Sequence, residues 1–213
     1  NYTKQGDLIS NHVFSFATHA AHKTSENEFV LVGHTEVGDE KPAVIKIDSS
    51  SAIIWSFEPT DVSGKGILGN FEVVDVDPQT GEIYAAGIFV GTIEIGSETF
   101  ANPKALQTYF DGMLIKFNSN GKPVWTRTIE ADDTRPTYTD VEITDEGRLI
   151  VGLNIGKPFT AKSPFYSFDG NPDEYSGYVA QYDNNGRIVN YKHLSDNEGV
   201  VIFDIEVVND NII

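Results

Sequence analysis

The chain carries its apolar residues in short runs, β-branched or aromatic, closed off by Gly, Asn, Asp, Ser and Pro, and helical spacing is nearly absent. That is the pattern of strands joined by tight turns. The runs recur. A second-strand run reads Phe29-Val30-Leu31-Val32-Gly33, then Ile83-Tyr84-Ala85-Ala86-Gly87, then Leu149-Ile150-Val151-Gly152. A third-strand run reads Ala43-Val44-Ile45-Lys46-Ile47-Asp48, then Met113-Leu114-Ile115-Lys116-Phe117-Asn118, then Tyr178-Val179-Ala180-Gln181-Tyr182-Asp183. Turns follow at Ser49-Ser50-Ser51, Ser119-Asn120-Gly121 and Asn184-Asn185-Gly186, and Asn-Gly pairs supply the positive φ that short hairpins need. A fourth strand comes next, with Trp55 and Trp125 each seven residues after the Asp or Asn that opens the turn. In the third copy Asn190, beside Tyr191, takes that place. The first strand of each copy is marked by an acid, a β-branched residue and a second acid. These are Asp75-Val76-Asp77, Asp140-Val141-Glu142 and Asp204-Ile205-Glu206, at offsets of 65 and 64 residues. The earliest copy has no acidic pair around Phe16-Ala17-Thr18.

A period near 65 residues exceeds a helical hairpin repeat and fits a four-stranded antiparallel sheet with long loops. The units are predicted at residues 11–60, 67–130 and 136–195, with a further one opening at 200–213. One such sheet buries too little to be stable alone. Packing sheet on sheet around an axis solves this, so an all-β fold of β-propeller blades is predicted, with a flat sandwich as the alternative. A closed ring takes about four to eight blades. The missing ones are expected from deleted sequence, from another chain or from segments beyond this one. The chain opens on Asn1 rather than Met and stops at Asn211-Ile212-Ile213 inside a strand pattern, so it is expected to be a piece of a longer protein.

The middle unit resembles a known family. Gly87-Ile88-Phe89-Val90-Gly91-Thr92-Ile93-Glu94-Ile95-Gly96 is similar to the G-x-F-x-G-T-x-x-x-G phrase of bacterial SBBP-type β-propeller repeats. Asp111-Gly112-Met113-Leu114-Ile115-Lys116-Phe117, Asn120-Gly121 and Trp125 resemble the same family's D-G-F-L-x-K-Y…N-G…W phrase. Asp75-Val76-Asp77 with Gly81-Glu82-Ile83-Tyr84 also fits. The first and third units match only in parts: Gly152 lacks the F-x-G-T continuation, and the first unit has a short linker at 36–41. The resemblance implies secreted or cell-surface repeats with no shared activity. The Trp125 region also resembles, more weakly, the D-x-x-x-G-x-x-x-W rhythm of quinoprotein propellers, with a turn one residue shorter.

Charge narrows the partners. The formal net charge is −17 and the pI is about 4.5, a field that repels nucleic acid and anionic membranes and attracts cations or basic partners. There is no cysteine, which excludes a disulfide framework and a thiolate metal site. No apolar stretch approaches the roughly 20 residues of a membrane helix, so no membrane insertion is expected.

Residues two apart on a strand share a face. Asp75 with Asp77, Asp140 with Glu142 and Asp204 with Glu206 are therefore predicted to gather near an axial channel. Like charges brought close raise one another's pKa or recruit a hard cation such as Ca²⁺, with these six as ligands. The plainer role is to cap turns and accept backbone amides. Asp75 to Glu82 has a faint calcium-loop look but lacks the third oxygen ligand and the distal Glu of an EF-hand. His19 and His22 stand three apart near His34, a spacing that on a strand points to different faces, so ordinary surface histidines are expected. No nucleophile-elbow, zincin or phosphate-loop phrase is present.

The strongest functional pointer is loop length. The links from second to third strand, roughly 90–111 and 154–176, are predicted as long loops rich in aromatics. Tyr109, Phe110, Phe165, Tyr166 and Tyr175, with Arg135 and Tyr138 from the connector between units, are the candidate ligand-binding residues. Rings beside acids and amides suit sugar stacking or peptide docking. The alternative is that the rings close local cores under extended hairpins. The expected function is a non-catalytic binding or adhesion module of a bacterial surface or secreted protein, recognising a glycan or protein. A propeller hydrolase, lyase or quinoprotein, and a purely structural blade array, are the alternatives.

Overall fold

The computed structural model describes residues 15–25, 27–35, 40–102, 109–131, 135–156, 159–163, 166–170, 176–194, 200–208 and 211–212. They form strands and turns with no helix among them, so none is long and apolar enough to cross a membrane. The first unit is an antiparallel meander of β1 (Phe16–Ser25), β2 (Glu28–Thr35), β3 (Pro42–Asp48) and β4 (Ile53–Phe57). A two-residue strand, β5 (Thr60–Asp61), leads to the second unit. That unit is built from β6 (Leu68–Val76), β7 (Ile83–Ile95), β8 (Glu98–Asn102), β9 (Asp111–Phe117) and β10 (Pro123–Ala131). The third comprises β11 (Thr137–Ile143), β12 (Leu149–Ile155), β13 (Phe159–Ser163), β14 (Tyr166–Gly170), β15 (Ser176–Tyr182) and β16 (Ile188–Leu194). A short hairpin, β17 (Val207–Val208) with β18 (Asn211–Ile212), follows. Four-stranded antiparallel sheets are thus the repeating element, as the runs predicted.

The units stack face on face. The second is apolar on both sides, as the unbroken burial of β9 requires. Val30, Val32 and Val44 of the first unit pack with Phe71, Ile83, Ile115 and Phe117 of the second. Tyr84, Ala86 and Leu114, on the other face of the second unit, pack with Val141, Val151 and Tyr182 of the third. The first strands come together: β6 lies against β1 and β11, and against β2 as well.

The turns after the third strands are built alike. Asp48 Oδ1 accepts the Ser50 and Ala52 amides, Asn118 Oδ1 those of Asn120 and Lys122, and Asp183 Oδ1 those of Asn185 and Arg187. The residue in left-handed conformation is Ser51, Gly121 and Gly186, with φ of 67°, 76° and 70°. The outer tryptophan of one unit then sits on the turn of the next. A Cβ on Gly121 would lie 2.5 Å from the Trp55 ring, and Trp125 Nε1 donates to Asn184 O at 3.1 Å.

Two features depart from the sequence pattern. The described parts of the long links are mostly strands rather than loops. Gly96, at φ 65°, turns β7 back into β8, and the 13-residue β7 leaves β9 to pair with β8 and β5. The link of the third unit forms the hairpin β13–β14, which pairs with β10 and so extends the sheet of the second unit. The second departure is register. Each first strand carries a bulge, at His19, Glu72 and Thr139, with a second irregularity at Thr24 in the first, and Asp77 and Thr144 open their turns at the same distance beyond the bulges of the second and third units. Counted from the bulge, Asp75 corresponds to His22 and Glu142, not to Asp140, and the position of Gly33 and Gly87 is taken by Leu153 rather than Gly152. The repeated acidic phrase is therefore two residues out of structural phase, because the bulge and turn set the pairing and the charges do not.

Candidate functional site

Two polar clusters lie where the first strands meet. One is on the side of the connectors between units. Its centre is Glu72, the bulged residue of β6. A bulge turns one extra side chain out of the ladder, which is how an acid enters an apolar strand. Glu72 Oε1 meets Arg135 Nη2 at 3.1 Å, and Oε2 accepts the Tyr138 amide at 2.9 Å. Burial raises the Glu72 carboxyl above its usual range, opposed by the Tyr138 amide and the Arg135 charge. The Arg135 side chain, 52% exposed, spreads over the Phe110 ring at 5.5 Å, a cation–π contact. Asn70 Nδ2 lies 3.2 Å from His19 Nδ1, and the His19 and His34 rings meet edge to face at 5.1 Å. Burial, then His34 and Arg135, lower the His19 pKa. Three units therefore contribute to one half-open patch of ring, amide, carboxylate and guanidinium.

Of the predicted ligand-binding residues, Tyr109, Phe110 and Arg135 belong to this side, Tyr109 and Phe110 partly buried. The Tyr109 carbonyl is held by Asn102 Nδ2 at 3.1 Å. Tyr138 contributes its backbone only. Its side chain is buried, which lifts the phenol well above its usual pKa, and its hydroxyl approaches Gly112 so closely that a Cβ there would lie 2.8 Å away. Tyr166 opens β14, on the outer edge of the second unit. Phe165 and Tyr175 lie outside the described residues. Glu72, Asn70, His19 and His34 were missed as a group. The one signal was an acid standing in the otherwise apolar Phe71–Val74 run.

The second cluster is a seam of carboxylates. His22 Nδ1 lies 3.0 Å from Asp75 Oδ1, and Asp75 Oδ2 accepts the Ile143 amide of the next unit at 3.0 Å. Asp140 Oδ2 accepts the Ile205 amide at 3.1 Å. Asp75, Asp140 and Asp204 each also accept the amide of the following residue. Burial, and then a hydrogen bond with Asp204, push the Asp140 carboxyl up to about 6. Burial, then the charges of Asp75, Asp140 and Asp204, push Glu142 up to about 7. His19 and His22, expected to face apart, both reach β6, because the bulge at His19 restores their parity.

The seam gathers Asp75, Asp140, Glu142 and Asp204. Asp77 stands apart, in the turn after β6, where its Oδ1 accepts the Gln79 and Thr80 amides. Burial works against ionisation of Asp77, and those amides outweigh it to hold its pKa below the usual range. Glu206 is exposed. A hard cation needs six to eight oxygens free to turn toward it. Here the oxygens of Asp75 and Asp140 already hold amides, and among the described residues no group of three or more acids or histidines could hold a metal ion. The seam ties one first strand to the next. No family model matches the chain, and no curated protein matches it.

Proposed function

We propose that the chain is a run of β-propeller blades, similar to SBBP-type β-propeller repeats, and that it serves as a non-catalytic binding module of a bacterial surface or secreted protein. The observation that carries the binding role is the connector-side patch. Three successive units bring Asn70, Glu72, Phe110 and Arg135, with His19, to one half-open place, and none of them belongs to the apolar clusters. Contact of the first strand of the second unit with those of the first and third supports the propeller arrangement. A ring flanked by a guanidinium, a carboxylate and an amide suits a hydroxyl-rich ligand: the ring stacks, and the polar groups orient. A glycan is therefore the preferred partner, and a protein loop the second. Binding of the parent chain to an immobilised glycan panel tests this. Phe110→Ala and Tyr109→Ala should lose the signal about tenfold or more with strand content unchanged. Variants that bind as well as the parent would end the proposal.

A second reading has one observation in its favour. Burial and neighbouring carboxylates push Glu142 up to about 7 and Asp140 up to about 6, and a carboxylate pair for general acid and base chemistry needs at least one group so raised. On that reading the chain cleaves a polysaccharide, and Glu142→Gln abolishes turnover of a substrate that the parent consumes.

A further inference from the structure

We propose that the outward face of the third unit docks a fourth four-stranded unit, supplied by the same polypeptide, with the segment from Asp204 to Val208 as its first strand. The argument begins with positional equivalence. Lys46, Lys116 and Gln181 stand two residues before the residue that opens the third turn, and each pairs with the fourth-strand position, at Trp55, Trp125 and Asn190 respectively. Val44, Leu114 and Val179 stand two residues earlier still. In the first two units the next sheet covers these positions: Val44 is 0% and Leu114 1% exposed. In the third the same positions line a cavity of about 410 Å³, together with Lys192, Leu194 and Ile205. Among the described residues, a face built to be covered is left open.

The seat for the first strand is already made. Asp140 accepts the Ile205 amide at 3.1 Å, a tie from a first strand to the following segment of the same kind as Asp75 to Ile143, though Asp140 stands two residues out of phase with Asp75. Asn154 grips Ile202 twice, donating from Nδ2 to its carbonyl at 2.7 Å and accepting its amide at 2.9 Å. Ile202 and Ile205 close a small core with Ile150. The hairpin β17–β18 then begins to lay a second strand beside the first. Each unit seen here takes its four central strands in chain order from one stretch of the polypeptide, with β8 or the β13–β14 hairpin inserted between the second and third of them in the later two units, so the remaining strands of this one are assigned to the same polypeptide. Gln181 and Asn190 keep amide donors where Lys116 and Trp125 of the preceding unit donate to Asn184 O. The occupant therefore presents a turn carbonyl at that point.

The chain has no cysteine, so Asn190→Cys places a single thiol on the face. Maleimide labelling is measured in the 213-residue chain and in an extended chain in which a copy of residues 84–131 follows Ile213. Labelling is expected to be about tenfold slower or more in the extended chain, while a thiol at the peripheral Val124 reacts equally in both. Equal rates at position 190, in an extended chain whose circular dichroism shows the added strands, would overturn the proposal. So would protection in the unextended chain that grows with protein concentration, since a second copy would then be the occupant. Asn190→Trp in the extended chain gives a second measurement: a higher melting temperature is expected, and a lower one counts against a docked unit of this repeat.

Discussion

Leu114 and Val179 occupy the same place in their sheets, and their surroundings could hardly differ more. Leu114 is sealed between the second and third units, where Trp125 and Arg127 reach across to the 184–186 turn. Val179 is only partly buried, against Ile150, Ile202 and Ile205, and Asn190 beside it looks into a cavity. The strands are equally β-branched and their turns are made the same way. The difference comes from the neighbour. In this stack a sheet makes one face itself and depends on the following sheet for the other, so burial passes from unit to unit like a nearest-neighbour interaction.

The largest effect expected from that comparison is on stability. Leu114→Ala opens a cavity between two covered sheets and should cost about 3 kcal/mol, whereas Val179→Ala, at a face with room to adjust, should cost less than about 1 kcal/mol. Denaturant unfolding of the two variants measures both. Equal losses would mean that the two faces are equally closed in solution and would break the comparison.

The third-strand turns and the outer tryptophans were legible in the sequence because their signal is local. An Asx side chain that bonds two amides ahead of it, and a residue at positive φ, fix a hairpin within five residues. The short β-branched and aromatic runs bounded by turn residues, such as Ala43 to Asp48, marked the strands for the same reason. The register of the first strands was not legible. Asp75-Val76-Asp77 and Asp140-Val141-Glu142 look alike, yet the bulges at Glu72 and Thr139 pair Asp75 with Tyr84 and Glu142 with Ile150, which makes Glu142 the counterpart of Asp75. A bulge is set by sheet twist and by the neighbouring sheet, and neither is written in a seven-residue window. The hairpin β13–β14 was hidden likewise, because its pairing partner β10 belongs to another unit. The connector-side patch was half visible. Phe110 and Arg135 stood out by type, while His19 and Asn70 acquired meaning only when β1 came against β6.

The seam separates the two regions on a smaller scale. Glu142 sits among Asp75, Asp140, Asp204 and His22, and its pKa rises from the ordinary carboxylate range to about 7. The folded chain thus binds this proton more tightly than the unfolded chain does. The stabilisation is complete below the unfolded value, declines as the pH rises toward about 7, and is gone above it. Glu142→Gln removes the charge. It should stabilise the chain at pH 8 by on the order of 1 kcal/mol, reduced by solvent because the group is half open, and by nothing measurable near pH 4.5. Melting curves of parent and variant at the two pH values read this directly. A variant equally shifted at both would show that the effect is packing, and that the seam is not electrostatically strained.

The smallest effect compares the turns themselves. Gly121 and Gly186 hold the left-handed position without cost, while the first unit places Ser51 there at φ 67°. A side chain at that φ crowds the following carbonyl, and the Asp48 carboxylate, which accepts the Ser50 and Ala52 amides, holds the turn in spite of it. Ser51→Gly relieves the crowding but gives the unfolded chain more freedom, so the net gain should be only about 0.5 kcal/mol. Gly186→Ala should lose more than that, because its Cβ would also lie 2.7 Å from the Arg127 guanidinium that ties the second unit to the third. Paired unfolding curves for the two substitutions therefore separate the cost of a local conformation from the cost of a broken contact between units. If Ser51→Gly destabilises, the first turn is held by its serine hydroxyls rather than by the Asx geometry common to all three.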